Sequence, residues 1–265
     1  MLEDKVCVVT GSGAGIGRAT AIEMARRGAK VVVSDIDDTT GEETLALVRD
    51  AGGEAVYVHC DVAEDDQLAS LMAAAADAFG GIDVLHNNAG TTDAMLAGPQ
   101  TLESLDPAIW DRVMGVNLRG AWLAIKHAAP HLRASQRNPA VVNAASVGGS
   151  TAYPGTPSYC ISKAGMIQLT KQAAVDLAPT VRVNCYCPAA VDTGMIQAFM
   201  DTVSTDEERS ALHSMLIGSH LIPRLGDPQD VANLVCFLAG DEALFLTGGA
   251  YGIDGGSLAW RGASA

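Results

Sequence analysis

Tyr159 and Lys163 lie four residues apart in Ser158-Tyr159-Cys160-Ile161-Ser162-Lys163, at the start of a stretch with helical spacing. On a helix they share one face, about one turn apart. A free phenol loses its proton near pH ~10, too high for a useful base at neutral pH. An ammonium held beside it favours the phenolate and lowers that value, leaving a group that can give or take a proton. Tyr-x-x-x-Lys also recurs by chance, and most such tyrosines are packing residues with a wet hydroxyl. The elements around the pair therefore decide its meaning.

A second chemical signal lies at the amino end. Lys5–Thr10 is a short β-rich apolar run, followed by Gly11-Ser12-Gly13-Ala14-Gly15-Ile16-Gly17 and a helically spaced stretch from Arg18 to Arg27 that stops at Gly28. A strand, a glycine turn and a helix N-terminus form an anion site: backbone N–H groups approach a pyrophosphate and the helix dipole favours it. Position 16 is isoleucine, so the spacing is Thr-Gly-x-x-x-Gly-Ile-Gly rather than strict G-x-G-x-x-G. The next strand, Lys30–Ser34, ends at Asp35, where a carboxylate can accept hydrogen bonds from adenosine ribose hydroxyls. The same charge repels a 2′-phosphate. Ser12, Gly13, Ala14 and Ile36 supply no cation to offset that, so the pattern favours NAD over NADP. A helix cap is the other reading of Asp35, though Asp37 or Asp38 can fill that role.

The remaining elements alternate. Helical stretches are expected over 39–50 and 64–79, with strands over 54–59 and 82–86, the latter leading into Asn87-Asn88-Ala89-Gly90. Asp106-Pro107 opens a long helix running to about Arg133, with Pro130 kinking its last turn. Asn117 falls within its apolar stripe, a poor place for an amide unless it has buried partners. Strands follow over 140–145, with Ser146 at the end, and 181–186; a helix capped by Asp227-Pro228 and a last short strand within 248–256 close the chain. This βαβαβαβ order specifies an α/β fold, a doubly wound parallel sheet of about seven strands in one domain, 1–265. Ligands in such sheets bind beyond the carboxyl ends of the strands, where the glycine loop, Asp35, Asp61 and Asn88 to Gly90 all fall.

Composition narrows the class. A formal charge of −14 argues against nucleic acid and anionic membrane surfaces. The start, Met1-Leu2-Glu3-Asp4-Lys5, lacks a secretory pattern, and no apolar run approaches the roughly 18 residues needed to span a bilayer. The six scattered cysteines fit a reducing, cytoplasmic setting, and Cys185 and Cys187 read as small core residues because no ligand cluster completes a metal site.

Taken together, these residues resemble the classical short-chain dehydrogenase/reductase family over essentially the whole chain. The resemblance rests on Thr10-Gly11…Gly15-Ile16-Gly17, Asp61-Val62, Asn87-Asn88-Ala89-Gly90, Asn117, Ser146, Tyr159…Lys163, Arg182-Val183-Asn184 and Asp254-Gly255-Gly256. Pro188-Ala189 departs from the family's usual Pro-Gly, which would narrow the approach to the nicotinamide, and Asn143-Ala144-Ala145 precedes Ser146 where a second serine is common. The resemblance implies a catalytic tetrad. Tyr159 exchanges a proton with the substrate oxygen, and Lys163 lowers its pKa and binds the nicotinamide ribose. Ser146 donates to the reacting oxygen, and Asn117 holds a water linking Lys163 to solvent. It further implies cofactor contacts from Gly11, Ser12, Gly15, Ile16, Gly17, Asp35, Ile36, Asp61, Val62, Asn88, Ala89, Gly90, Pro188, Val191 and Thr193, besides Tyr159 and Lys163 themselves. A homotetramer pairing the helices of Asn117 and Tyr159 is also implied.

Residues 193–221 correspond to the family's variable substrate lid, with Met195, Ile196, Phe199, Met200, Leu212, Met215 and Leu216 beside Asp206-Glu207-Glu208. They read either as a flexible cover over an apolar alcohol or ketone or as two helices packed onto the body. Arg209 is the only basic residue there before Arg224, which disfavours phosphorylated, carrier-bound or CoA-linked substrates. The expected activity is NAD-dependent interconversion of a secondary alcohol and a ketone on an apolar or cyclic substrate. The alternatives are an NADPH-dependent 3-oxoacyl reductase and a non-catalytic NAD-binding protein on the same fold. Trp260, in the tail Ser257 to Arg261, suits a subunit contact or burial within the monomer.

Overall fold

The computed structural model describes residues 2–201, 203–218 and 220–259; the expectation for Trp260 lies outside them. Seven parallel strands form one sheet in the order β3-β2-β1-β4-β5-β6-β7. They are β1 (Val6–Thr10), β2 (Lys30–Asp35), β3 (Ala55–His59), β4 (Val84–Asn87), β5 (Ala140–Ala144), β6 (Arg182–Pro188) and β7 (Ala250–Ile253). The central strands are covered on both faces, which is why they read as near-continuous apolar runs rather than as alternating ones. The strand order reverses between β1 and β4, and that crevice is where the glycine loop and Asn88 to Gly90 meet.

Helices α1 (Gly15–Arg26), α2 (Asp38–Asp50) and α10 (Pro228–Ala239) cover one face, burying Met24, Val48, Val231 and Val235. Helices α3 (Asp65–Phe79), α6 (Ala121–Ala134) and α7 (Pro157–Leu177) cover the other, with Leu68, Leu71, Leu123 and Leu132 in the core. Asp227 and Asp230 form a capping box at the start of α10. The far end of α10 lies on β6. Arg182 is buried there and donates to the carbonyls of Leu238, Ala239, Gly240 and Ala243, at 2.7–3.4 Å. That arrangement satisfies backbone oxygens that the helix leaves unpaired.

Two differences from the sequence expectation stand near the site. The helix opened by Asp106-Pro107 is not uniform: α5 (Pro107–Met114) passes into a π-helical turn, Gly115–Gly120, and then into α6, within which Pro130 lies. Gly120 permits this. A Cβ there would stand 2.5 Å from the carbonyl oxygen of Val62, so only glycine lets the widened turn approach that loop. The second difference is a short helix, α4 (Asp93–Ala97), capped by Thr92, directly after the Asn88 to Gly90 loop. In the lid, α8 (Gly194–Met200) buries only Met200 and α9 (Asp206–Gly218) buries nothing, with Met215 61% exposed. Met195, Ile196, Phe199, Leu212 and Leu216 are half-buried. No helix among the described residues is long and apolar enough to cross a membrane.

Candidate active site

The cofactor side is built by close backbone approach. A Cβ on Gly17 would stand 2.2 Å from the carbonyl oxygen of Gly11, and one on Gly11, itself at φ +61°, would stand 2.6 Å from Cα of Ala89. These glycines keep the first turn of α1 open, and Ala14, its N-cap, places no side chain over the free N–H groups. Asn88 supports the loop from below, donating to the carbonyls of Thr10 and Gly11 at 3.0 and 2.8 Å. The hydroxyl of Thr10 in turn accepts from the N–H groups of Asn88 and Ala89. Ser12 also turns inward, its Oγ accepting from the N–H of Ser34 at 2.8 Å. At the tip of β2, Asp35 accepts from the N–H of Gly13 at 2.7 Å, which brings its carboxylate against the glycine loop, and Ile36 beside it is 53% exposed.

Asp61 lies beyond the end of β3, with Val62 buried behind it. Its Oδ1 accepts from the N–H of Ala63, and Oδ2 receives both terminal nitrogens of Arg112 at 3.1 Å. Arg112 is a participant that the sequence analysis did not single out. At the other end Thr193 reaches over the loop, its Cγ2 standing 3.1 Å from where a Cβ of Gly15 would be. Val191 is buried and bridges Gly226, while Pro188 ends β6 opposite Ile253. Such a cradle of glycines, free helix-terminal N–H groups and a ribose-ready carboxylate fits a dinucleotide in size and in chemistry.

The reacting side gathers at the ends of β4, β5 and β6. Ser146 follows β5, is buried, and accepts from the N–H of Gly148 at 3.0 Å. Gly149 makes the approach to α7 possible, since a Cβ there would stand 2.7 Å from the backbone of Lys163. Burial pushes the phenol of Tyr159 upward, and its hydrogen bond with Ser146 opposes that shift. Lys163 donates to the carbonyl of Ala144 at 2.7 Å, lies 5.6 Å from the centroid of the Tyr159 ring, and is pushed down to about 8 by burial. The expected lowering of the phenol by the ammonium is therefore not what dominates here; burial does, with Ser146 as the counterweight.

Asn117 sits at the π turn, wholly buried. Its Oδ1 accepts from the N–H of Thr91 at 2.8 Å, and its Nδ2 donates to the carbonyl of Thr91 and to Ser162. Both ends of this amide have protein partners, so its side chain fixes the loop after β4. Gly90 fits between the two polar groups: a Cβ there would lie 3.3 Å from Oδ1 of Asn117 and 3.6 Å from Nζ of Lys163. Two further residues escaped the sequence analysis. Tyr153 packs against Gly148, with burial raising its phenol to about 12. Asp93 accepts from the backbone at the start of α7. A short cap motif, Thr92-Asp93, was its only local signal.

The arrangement is an α/β fold whose crevice fits a dinucleotide, with Ser146, Tyr159 and Lys163 gathered beside it. Comparison with known proteins agrees. Residues 11–257 match the family model described as enoyl-(acyl carrier protein) reductase. The chain is 38% identical over 258 residues to cis-4-hydroxycyclohexanecarboxylate dehydrogenase of Sinomonas cyclohexanicum, covering 97% of each chain. It is 36% identical over 260 residues to a 3-oxoacyl-[acyl-carrier-protein] reductase of Thermotoga maritima, covering 96% of this chain and 98% of that one. Among solved structures, levodione reductase superposes with a TM-score of 0.91 at 32% identity, covering 97% of this chain and 99% of that one. The chain belongs to the short-chain dehydrogenase/reductase family and is an oxidoreductase of the CH–OH group that uses a nicotinamide cofactor.

Proposed function

We propose that the chain is an NAD-dependent dehydrogenase that interconverts a secondary alcohol and a ketone on a cyclic or otherwise apolar skeleton. The observation that carries this reading is the cluster of Ser146, Tyr159 and Lys163 beside Gly90, at the carboxyl ends of the strands. The nicotinamide supplies or accepts the hydride. Tyr159 moves the proton at the substrate oxygen, and Ser146 donates a hydrogen bond to that oxygen as charge develops on it. Lys163, tied to the carbonyl of Ala144, is held to bind the nicotinamide ribose. Asn117 fixes Thr91 and so the loop behind Gly90. Gly11, Ser12, Gly15, Ile16 and Gly17 cradle the pyrophosphate. Asp61, Val62 and the segment Asn88 to Gly90 line the adenosine side, and Pro188, Val191 and Thr193 the carboxamide.

NAD rather than NADP follows from Asp35, held against Gly13 with exposed Ile36 beside it and no cation in the loop. A cyclic substrate accords with the apolar lid over 193–221 and with relatives named for a hydroxycyclohexanecarboxylate and for levodione. The 3-oxoacyl reductase relative keeps that activity as a second reading, which Asp35 and the acidic lid disfavour. We further propose a cytoplasmic homotetramer, its interface covering the groove of about 830 Å³ lined by Met114, Leu118, Trp122, Gly165 and Leu169.

The test is absorbance at 340 nm with NAD or NADP against cyclic alcohols, sterols, polyols and hydroxyacyl thioesters. NAD-linked turnover of a cyclic alcohol is expected. Turnover of thioesters with NADP alone overturns the reading in favour of the reductase.

A further inference from the structure

We infer that Asp93 is a positioning residue, which sets the backbone of Tyr159 and locks the helix bearing it to the loop after β4. Helix α7 starts with Pro157, and its N-cap, Thr156, makes no side-chain cap bond. The job falls to a residue 65 positions before Ser158 in the chain. Asp93 is fully buried; its Oδ1 accepts from the N–H of Ser158 at 3.2 Å and from the hydroxyl of Ser158. Its Oδ2 accepts from the N–H of Tyr159 at 2.9 Å. A carboxylate here satisfies two free N–H groups of the first turn and complements the helix dipole, as a local cap does. It differs from a local cap in what it connects. Two residues upstream, Thr91 is gripped through both its N–H and its carbonyl by Asn117 on the π turn. The segment from Gly90 to Asp93 is thus held at one end by the helix of Asn117 and holds, at the other, the helix of Tyr159.

The consequence is geometric. Asp93 touches neither the phenol nor Lys163 among its hydrogen bonds. It acts on Tyr159 through the main chain. A small rotation of the first turn of α7 moves the phenol away from Ser146, whose hydrogen bond opposes the upward push of burial. Loss of Asp93 should therefore slow proton transfer and leave the glycine loop and Asp35, after β1 and β2, in place.

The inference rests on Tyr159 as the proton-transfer group, so the experiment includes readouts that need no turnover. Asp93→Ala and the milder Asp93→Asn, which keeps one acceptor oxygen, are compared with wild type and with Asp106→Ala, which removes the ordinary cap of α5. Amide exchange is followed over residues 157–163, along with the ring resonance of ¹³C-labelled Tyr159, assigned through Tyr159→Phe. Steady-state rates are measured with NAD and cis-4-hydroxycyclohexanecarboxylate. In Asp93→Ala, exchange over 157–163 should rise about tenfold or more, and the Tyr159 resonance should move. The kcat should fall at least about tenfold while KM for NAD stays within about twofold, with Asp93→Asn between it and wild type. Asp106→Ala should lower the melting temperature and move none of these. Unchanged exchange and resonance in Asp93→Ala overturn the inference, as does an equal effect from Asp106→Ala or a rise in KM for NAD at constant kcat. If wild type turns over no alcohol, the dehydrogenase reading fails separately, and exchange and resonance still decide the role of Asp93.

Discussion

Replacing Asp35 with alanine should convert the cofactor preference. In the structure Oδ2 of Asp35 accepts from the N–H of Gly13 at 2.7 Å and Oδ1 from the N–H of Asp37 at 3.1 Å. Each oxygen thus keeps acceptor capacity for a ribose hydroxyl. A hydrogen bond to a charged group contributes roughly 1.5–3 kcal/mol, so its loss should lower kcat/KM for NAD by about 10- to 150-fold. The carboxylate also acts against NADP. At about 5 Å in a water-like dielectric, it repels a doubly charged 2′-phosphate by roughly 2 kcal/mol, and removing it should raise kcat/KM for NADP by about thirtyfold. The NAD/NADP ratio should therefore swing by about three orders of magnitude, somewhat less at high salt. Initial rates at 340 nm with a fixed alcohol and each cofactor give the ratio directly. Asp35→Asn, which retains one acceptor oxygen, should fall between wild type and Asp35→Ala. A swing below about tenfold, or a wild type that already prefers NADP, refutes the role assigned to this carboxylate.

Tyr159→Phe should lower kcat by about 10²- to 10⁴-fold while NAD still raises the melting temperature; turnover left intact would remove Tyr159 from the chemistry. Lys163 is held at about 8 in the fold by burial, against 10.5 when free. Below pH ~8 both states are protonated and the full cost of burial, about 3 kcal/mol, is present. Between pH ~8 and ~10.5 the unfolded chain binds more protons, so stability should rise with pH there. Denaturant unfolding at pH ~7.5 and ~9.5 should show that rise in wild type and lose it in Lys163→Met; equal pH dependence in the two contradicts it. Trp122, 49% exposed on the groove between α6 and α7, should be covered in the tetramer. Light scattering of Trp122→Glu should then report a smaller assembly, and an unchanged mass in both proteins would place the interface elsewhere.

Much of the frame was legible because parallel β/α units write themselves locally. Valine runs, glycine turns and Asp-Pro caps marked the seven strands and most of the long helices to within about three residues, though not the short helix α4. What escaped was long-range. The π turn of Gly115–Gly120 depends on the Val62 carbonyl meeting Gly120, a contact that no window of sequence contains. Arg112 finds Asp61 from 51 residues away, and Asp93 finds Ser158 from 65. Asn88 was singled out as a cofactor contact, and its amide faces the backbone of the glycine loop. Asn117, expected to hold a water linking Lys163 to solvent, has Thr91 and Ser162 as its protein partners. Residue type identified these positions; only the assembled fold revealed which partner each one has.

The contrast between α9 and the rest of the chain bears on how such a protein can change. Because α9 buries no side chain, substitutions across Asp206–Gly218 disturb little of the core on which stability depends. Residues 90–93, by contrast, tie the π turn of Asn117 to the first turn of α7, and on the proposed role of Asp93 a change there should reach proton transfer. Drift is therefore cheap over the mouth of the site and costly at its floor. If residues 193–221 cover the substrate as proposed, a lineage built on this chain can explore new alcohols there while inheriting the same hydride chemistry.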